Sequence, residues 1–235
     1  MPAQIEKAMV LAAGRGTRMR SLTDEVPKPL IKVKGRTLID RIIDKIVAYG
    51  ITQGVVNVCY LGDMIKADLS ARTDISLTFS EEDEALETGG GVKKALPLLG
   101  DKPFFVLNSD PLWTEERPSL TDMARAFDEN KTDILLLLWP KERVFGHDGT
   151  GDYYLENGRP RRRHPEEGSA PYVYAGAQII NPDIFKDAPD GKFSLNLLYD
   201  KAEKAGRLAA VVGDGDWYHV GTPEALALAE KRVKE

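Results

Sequence analysis

Apolar residues along the chain recur in two alternating patterns. Short runs rich in β-branched and aromatic residues predict five buried strands, over Lys7–Ala13, Val55–Cys59, Ile75–Phe79, Phe104–Asn108 and Asp133–Trp139. Longer amphipathic stretches between them predict helices over Leu38–Tyr49, Leu61–Ser70, Gly91–Leu99 and Leu120–Asn130. Strands that alternate with helices predict an α/β fold with a doubly wound, mostly parallel sheet in three α/β/α layers. Ligands of such sheets bind at the carboxyl ends of the strands.

The pattern weakens after Trp139. A stretch rich in Gly, Asp and Pro follows, with weak strands predicted at Tyr153–Glu156 and Tyr172–Ile180. Two helical patterns close the chain, at Leu195–Ala205 and Pro223–Lys234. Since no repeat or linker interrupts the sequence, we expect one domain over residues 1–235. Residues 1–139 would form its regular core, and residues 140–235 an embellished closing part.

Composition places the chain among ordinary globular proteins. Hydrophobic residues make up 42% of the 235 positions and charged residues 29%, a balance that excludes global disorder. No apolar run is long enough for a membrane span, and the N-terminus lacks the features of a signal peptide. The single cysteine, Cys59, excludes a disulfide framework and a multi-cysteine metal site. We therefore expect a cytoplasmic protein with no membrane partner.

Charge is unevenly distributed along the chain. The net charge of −5 argues against a nucleic-acid partner, yet residues 14–36 hold seven basic side chains against two acidic ones. A second basic cluster lies at residues 159–164, and residues 81–87 are acidic without any basic residue. A solvated face explains the 159–164 cluster as well as a ligand site does.

The segment after the first predicted strand carries the first candidate chemistry. Gly14 and Gly16 let the backbone turn sharply and bring N–H groups close to an anion. The segment is neither a Walker A loop nor a Rossmann fingerprint, because it lacks the Gly-Lys-Ser/Thr ending and has Met19 at the third glycine position. Further along, prolines on both sides of Lys28 disfavour a helix and hold this lysine on a stiff loop. A lysine so held suits a phosphate ligand.

Four motifs resemble those of the sugar-1-phosphate nucleotidylyltransferases. The first is Leu-Ala-Ala-Gly-x-Gly-Thr-Arg at residues 11–18 with Pro-Lys-Pro-Leu at 27–30. The second, Glu-Thr-Gly-Gly-Gly at residues 87–91, resembles a branch of small enzymes, the N-acetylmuramate-1-phosphate uridylyltransferases of cell-wall recycling. Asn108-Ser109-Asp110 resembles the metal-binding strand end, and residues 217–222 resemble the C-terminal Trp-x-Asp-x-Gly-Thr. The resemblance implies a Rossmann-like, glycosyltransferase-A-like fold that binds an NTP and a sugar-1-phosphate and releases pyrophosphate.

The resemblance also implies roles for residues of the first loop and the acidic run. The nucleotide-binding candidates are Leu11, Ala12, Ala13, Gly14, Gly16, Thr17 and Glu82. The catalytic candidates are Arg18, which would hold the leaving pyrophosphate, and Lys28, which would neutralise the phosphates near the α-phosphorus. Arg15 and Arg20 are further cationic candidates. The Glu82 carboxylate accepts from N3–H of uracil or from two N–H groups of guanine equally well, so UTP and GTP both stay open, with UTP favoured.

The sugar-binding candidates implied by the resemblance are Glu87, Gly89, Gly90, Asn108 and Gly176. A carboxylate accepts from sugar hydroxyls, and glycines leave room for the ring. An acid at the N-terminus of the helix Val92–Leu99 is the alternative role for Glu87. Larger members of the family use a lysine for the sugar phosphate; this chain has no clear equivalent, and Arg161–Arg163 are its possible replacements.

Asp110 and His219 are the metal candidates. Asp110 follows a buried strand, where an Asp either caps a helix or binds a hard cation such as Mg²⁺. The family pairs it with the Asp of Trp-x-Asp, but this chain has His219 at that position, and imidazole is a poor Mg²⁺ ligand. Either Asp214 or Asp216 would substitute for the missing Asp, or the metal preference of the site would shift from Mg²⁺ toward Mn²⁺.

Three functions follow from these residues. The first is N-acetylmuramate-1-phosphate uridylyltransferase activity, and the second is mannose- or heptose-1-phosphate guanylyltransferase activity. A nucleotide-binding regulatory module without turnover is the third, because His219 departs from the motif. The sequence predicts a monomer or small homo-oligomer.

Overall fold

The computed structural model describes residues 4–19 and 22–233, so the candidate Arg20 lies outside the described residues. The strands are β1 (Ala8–Leu11), β2 (Lys32–Val33), β3 (Arg36–Thr37), β4 (Gln53–Val58), β5 (Ser76–Glu81), β6 (Phe104–Asn108), β7 (Pro111–Trp113), β8 (Ile134–Pro140), β9 (Val144–Phe145), β10 (Tyr153–Glu156), β11 (Arg159–Arg162), β12 (Tyr172–Ile180), β13 (Leu208–Val212) and β14 (Trp217–His219). The helices are α1 (Leu22–Glu25), α2 (Leu38–Tyr49), α3 (Gly62–Leu69), α4 (Glu87–Leu99), α5 (Ser119–Ala126), α6 (Asn196–Lys204) and α7 (Pro223–Arg232). No described helix combines the length and hydrophobicity of a membrane span.

One large sheet organises the chain. Its centre is the parallel run β6-β1-β4-β5, which confirms the predicted α/β fold. On the far side of β6, the long strand β12 pairs antiparallel with both β6 and β8, and a register shift between Tyr174 and Gln178 interrupts its pairing with β8. Strand β13, which the sequence analysis missed, adds in parallel to β8.

Helices cover both faces of this sheet because the strand side chains alternate. In β1, Ala8 and Val10 pack into a core with residues of α2, α3 and α5, whereas Met9 packs into a second core with residues of α4 and α6. Strand β6 repeats the alternation, with Phe105 in the first core and Phe104 in the second. These two cores make the three α/β/α layers.

A third, smaller core supports the edge where the parallel strands end. It joins the β2–β3 hairpin, α7 and the small sheet β7-β14-β9 around Met19, Val33, Leu112 and Tyr218. In that sheet, His219 of β14 lies opposite Pro111 of β7. The third core therefore brings the C-terminal motif against the residue that follows Asp110.

Among the predicted boundaries that moved in the structure, two moved for an identifiable physical reason. Helix α4 begins at Glu87, one turn before the predicted Gly91, because its glycines are held by packing. Strand β1 ends at Leu11, two residues before the predicted Ala13, since the N–H of Ala12 leaves the ladder and donates to the side chain of Asn57.

Candidate functional site

A cavity of about 280 Å³ lies at the carboxyl ends of β1, β4 and β6. Its lining includes eleven of the sixteen candidate site residues: Leu11, Ala12, Ala13, Gly14, Gly16, Arg18, Lys28, Glu82, Glu87, Asn108 and Asp110. Thr17, Gly89, Gly90, Gly176 and His219 are the candidates outside this lining. The structure thus gathers most of the residues that the motifs singled out, from four separate stretches of the chain, around one opening.

The glycine loop forms one wall of the cavity. Gly16 has φ +67°, a left-handed conformation that favours glycine, and an added Cβ there would meet Lys28 Cβ at 2.9 Å. Gly14 differs, since nothing lies within 4 Å of the position its Cβ would take. The loop conformation therefore requires glycine at position 16, whereas Gly14 leaves open space at the cavity.

A buried chain of hydrogen bonds ties this loop to the acidic run. The N–H of Ala12 donates to Asn57 Oδ1 (2.8 Å), and Asn57 Nδ2 donates to Glu82 Oε1 (2.7 Å). The second oxygen of Glu82 accepts from the N–H of Leu86 (2.9 Å). Both oxygens of Glu82 thus hold a protein donor, and each keeps one further lone pair. This network fixes Glu82 at the cavity wall.

Lys28 and Asp110 meet across the cavity. Lys28 Nζ donates to Asp110 Oδ2 at 2.5 Å, and Lys28 is itself buried. Burial raises the pKa of the Asp110 carboxyl, but the charge and hydrogen bond of Lys28 outweigh it and hold this pKa below its usual range. Asp110 is followed by strand β7 rather than a helix, so the alternative helix-cap role is wrong.

His219 lies near this pair as a neutral imidazole. Burial lowers its pKa to about 4 against the opposing effect of the Asp110 charge, with Lys28, Arg18 and His147 lowering it further. Its ring stacks on Trp217, and within the described residues its buried Nε2 atom has no hydrogen-bond partner. An imidazole in this state keeps a lone pair for a ligand.

The two alternative metal carboxylates are engaged elsewhere. Asp214 accepts from the Nε of Arg117 (2.9 Å) and from the N–H of Glu116 (2.8 Å). Asp216 forms an ion pair with Arg143 at 2.8 Å. Neither lines the cavity, so Asp110 is the carboxylate of the metal candidates that does.

Glu87 occupies a strained position at the opposite wall. Its φ of +60° is a left-handed conformation that costs a residue with a side chain about 1–2 kcal/mol. Its carboxylate is half-exposed and lies 4.0 Å from Lys192 Nζ. Strain of this kind is concentrated at functional sites, where the surrounding structure holds it. Thr88 lines the cavity beside it.

The neighbouring glycines serve the packing of α4. An added Cβ at Gly89 would lie 2.3 Å from Phe193 Cε2, and one at Gly90 would lie 2.1 Å from the Gly191 carbonyl oxygen. The space beside both is therefore filled by segment 191–193, and a sugar contact at either stays a prediction. Gly176 has φ +83° and lies against Asn108, whose side chain a Cβ there would approach to 3.2 Å.

Of the two arginines in the glycine loop, Arg18 lines the cavity and Arg15 does not. Within residues 4–19 and 22–233, Arg18 makes no ion pair or hydrogen bond, and its side chain is exposed. Arg15 lies over the ring of Tyr60, 5.0 Å from its centroid, while Tyr60 itself donates to the carbonyls of Thr23 and Asp24. Arg18 is thus the arginine of this loop that is available to an anion in the cavity.

The second basic cluster, residues 159–164, contributes no residue to the lining of the cavity that holds Asp110. Arg161 pairs with Glu156 and Glu167, and Arg162 pairs with Asp200 through two hydrogen bonds of 2.8 and 2.6 Å. Arg163 lines a separate cavity beside the first. The possible replacement of the sugar-phosphate lysine by these arginines gains no support from their contacts.

Several lining residues were not predicted. They are Pro29, Asn57, Ala85, Thr88 and Ser109. A signal for Asn57 was present, because a fully buried amide near the end of an apolar strand requires polar partners. The others are neighbours of predicted residues in the chain.

Comparison with known proteins places these features in context. Residues 7–146 match the model of the family described as nucleotidyl transferase. The chain is 43% identical to N-acetylmuramate alpha-1-phosphate uridylyltransferase of Caulobacter vibrioides, over 97% of each chain. It is 34% identical to the enzyme of that name from Neisseria meningitidis serogroup B, over 95% of this chain and 98% of the other.

More distant relatives share the fold. A mannose-1-phosphate guanyltransferase of Hypocrea jecorina is 30% identical over 93% of this chain and 61% of its own length. The crystal structure of HddC from Yersinia pseudotuberculosis, complexed with GMP-PN, superposes with a TM-score of 0.79 over 98% of this chain and 100% of the other, at 23% identity.

Proposed function

Because this chain belongs to the nucleotidyl transferase family, we propose that it transfers a uridylyl group from UTP to N-acetylmuramate-1-phosphate, a reaction of cell-wall recycling. The observation that carries the proposal is the cavity itself. One wall is a glycine loop with the unpaired Arg18, and the rest of the lining includes Asn108 and the strained residue Glu87 with its carboxylate. The loop N–H groups and Arg18 suit a triphosphate, and the Glu87 carboxylate suits the hydroxyls of a sugar.

The attack of the sugar phosphate on the α-phosphorus depends mainly on position and charge. The loop N–H groups beside Gly14 hold phosphate oxygens, and Arg18 holds the pyrophosphate that leaves. Lys28 stabilises the charge that develops on the α-phosphate, since it is a buried lysine in the cavity lining.

The donors around Asp110 fit Mg²⁺ held largely by substrate. Mg²⁺ takes one or two protein carboxylates and fills its remaining positions with phosphate oxygens and water. Within the described residues no group of three His, Cys, Asp or Glu side chains could hold a metal ion. Asp110 would hold the cation with neutral His219 beside it, a pairing that also accommodates Mn²⁺. When bound, the cation supplies further charge neutralisation at the phosphates.

Base and sugar are held by the acidic run and α4. Glu82 accepts from N3–H of uracil through a lone pair that Asn57 and Leu86 leave free. Glu87 accepts from hydroxyls of the sugar. Residues 1–139 supply the nucleotide side of the site, and residues 140–235 supply Gly176 and the elements that close the sugar side.

Pyrophosphate release from a panel of substrates tests the proposal. UTP and GTP are each paired with N-acetylmuramate-, N-acetylglucosamine- and mannose-1-phosphate, in Mg²⁺ or in Mn²⁺. We expect the highest kcat/KM for UTP with N-acetylmuramate-1-phosphate. Asp110→Asn should abolish turnover, whereas Asp63→Asn, at an exposed carboxylate of α3, should leave it unchanged.

Two results would contradict the proposal. Faster turnover of GTP with mannose-1-phosphate would assign the chain to the guanylyltransferases. Tight UTP binding without release of pyrophosphate from any pair would make the chain a nucleotide-binding module.

A further inference from the structure

A second cavity, of about 380 Å³, lies beside the first. Tyr174 of β12 and Asn196 of α6 are among its lining residues. The N–H of Leu195, which precedes Asn196, donates to the hydroxyl of Thr88 in the first cavity (2.9 Å). Gly176, two residues after Tyr174 on β12, lies against Asn108 of the first cavity, whose side chain an added Cβ would approach to 3.2 Å. The two cavities therefore adjoin along the sugar side of the site.

Arg163 brings an uncompensated charge to this second cavity. Its Nε donates to the carbonyl of Gly151 (3.0 Å), and its Nη1 donates to the carbonyls of His164 (2.9 Å) and Glu167 (3.2 Å). No carboxylate lies within 4.0 Å of it among the described residues, although Arg161 and Arg162, the last two residues of β11 directly before it, both have such partners. Backbone carbonyls thus fix the guanidinium without neutralising it.

The remaining lining adds polar groups suited to a hydroxylated ligand. Tyr153 is 2% exposed, and its hydroxyl has no hydrogen-bond partner within the described residues. The single carboxylate of the lining, Asp152, accepts from the N–H of Tyr174 (2.8 Å). The buried Tyr153 hydroxyl can donate a hydrogen bond, and the Arg163 guanidinium is held in place, while Asp152 already accepts one from Tyr174. This lining favours a ligand with a negatively charged group and several oxygen atoms.

We infer that the second cavity binds the carboxylate of an acidic sugar-1-phosphate, with the Arg163 guanidinium as its anchor. The inference rests on the proposed function and extends it to the basis of sugar choice. N-acetylmuramate differs from N-acetylglucosamine by a lactyl ether at C3, which ends in a carboxylate away from the anomeric phosphate. With that phosphate near Lys28, the ring lies along Glu87 and Thr88, and the lactyl carboxylate extends toward Arg163.

The experiment compares two substrates and one derivative. The kcat/KM with UTP is measured for N-acetylmuramate-1-phosphate, for its lactyl methyl ester and for N-acetylglucosamine-1-phosphate. A charge-assisted hydrogen bond of this kind is worth roughly 10- to 100-fold, so we expect that loss for the ester in the wild type, mainly in KM. Arg163→Met should show the same loss for the acid, with no further loss for the ester and less than about a twofold change for N-acetylglucosamine-1-phosphate.

Arg159→Met is the matched control. Arg159 lies on β11, the strand that ends directly before Arg163, but outside the second cavity, and its substitution removes an equal charge. It should leave all three kcat/KM values unchanged. Because the ester requires no substitution, the test holds even where Arg163→Met unfolds.

Failure of the inference and failure of the proposed function look different. If the wild type turns over the acid and the ester equally, the inference is overturned and the proposed function stands. Equal losses for all three substrates in Arg163→Met, with no loss for the ester in the wild type, would show a structural role for Arg163. A wild type that uses other sugar phosphates and not N-acetylmuramate-1-phosphate would overturn both.

Discussion

Lys28 Nζ lies 2.5 Å from Asp110 Oδ2, so the candidate phosphate cation and the candidate metal carboxylate neutralise each other. The two residues come from the loop after β1 and from the end of β6. In the proposed reaction, a triphosphate would compete for Lys28, and a divalent cation would compete for Asp110. Binding of both would replace the Lys28–Asp110 ion pair with two others, Lys28 with a phosphate and Asp110 with the cation.

Lys28→Met tests the cationic half of this exchange. The variant keeps the apolar stem that packs on Gly16 and removes the charge. We expect kcat/KM to fall by about 10²- to 10³-fold, the usual effect of losing one charge-stabilising donor. Initial rates of pyrophosphate release measure it.

Lys32→Met is the control for that substitution, because Lys32 is exposed on β2. Its rate should match the wild type. Wild-type kcat/KM in Lys28→Met would refute the role of Lys28, provided that both variants unfold in a single thermal transition.

Local signals explain which elements could be predicted. Helix α2 has the predicted ends because Thr37 caps it, accepting from the N–H of Asp40, and Gly50 at φ +106° ends it. The start of α4 could not be predicted from local signals, because glycines 89–91 have low helix propensity. Contacts with segment 191–193 hold Gly89 and Gly90, and Gly91 packs against Asn57 and Glu82. Strand β13 was missed because it pairs with β8, more than sixty residues earlier.

Within the site, likewise, residues in local sequence motifs could be predicted, and contacts between residues far apart in the chain could not. The glycine loop, Lys28 and Asp110 were predictable because motif residues at the ends of parallel strands meet at one edge. The network through Asn57 was not, since its partners lie 45 and 25 residues away. The sequence also could not show that Arg163, of the three consecutive arginines 161–163, is the one without an acidic partner. The partners of the other two become neighbours only when β10, β11 and α6 pack together.

Gly14→Ala separates ligand approach from folding. Nothing lies within 4 Å of the added Cβ, so we expect the free energy of unfolding to change by less than about 0.5 kcal/mol. The methyl group would occupy the space of a phosphate, so the KM for UTP should rise at least about tenfold, in line with a loss of more than 1.4 kcal/mol. Urea unfolding and steady-state rates measure the two effects.

Gly168→Ala serves as the control for Gly14→Ala, since it adds a methyl group in equally open space away from the cavity. Gly168→Ala should change neither the free energy of unfolding nor the KM for UTP. An unchanged KM in Gly14→Ala would remove this glycine from the phosphate site.

Glu87→Gly should move stability and activity in opposite directions. Glycine relieves the strain at φ +60° and loses some of that gain to chain entropy, for a net stabilisation of roughly 0.5–1 kcal/mol. Loss of the carboxylate should lower kcat/KM by about 10- to 100-fold. Lys34→Gly, at φ +52° in the exposed β2–β3 turn, should gain stability and keep full activity. A less stable Glu87→Gly, or one with wild-type kcat/KM, would contradict the functional reading of this strain.

A second carboxylate network, around Glu115, lies outside the cavity. Glu115 accepts from Lys45 Nζ (2.7 Å) and Trp113 Nε1 (2.9 Å), and from both the N–H (3.1 Å) and the hydroxyl of Ser119. It thereby joins α2, β7 and the first turn of α5. Burial raises its pKa, but Lys45 and the hydrogen bonds outweigh burial and lower this pKa from 4.5.

This lowered pKa gives the network a predictable pH dependence. Between the folded pKa and 4.5, the unfolded chain binds more protons than the native one, so stability is lost as pH falls through that window. Glu115→Gln should therefore lower the free energy of unfolding by about 1.5–3 kcal/mol at pH 7. The difference from the wild type should stay constant down to pH 5.5 or so and shrink below 4.5. Urea unfolding at a series of pH values measures it, with exposed Glu116→Gln as the control that shows no difference. A gap between wild type and Glu115→Gln that is independent of pH down to about 3 would mean that the Glu115 carboxyl titrates as it does in the unfolded chain.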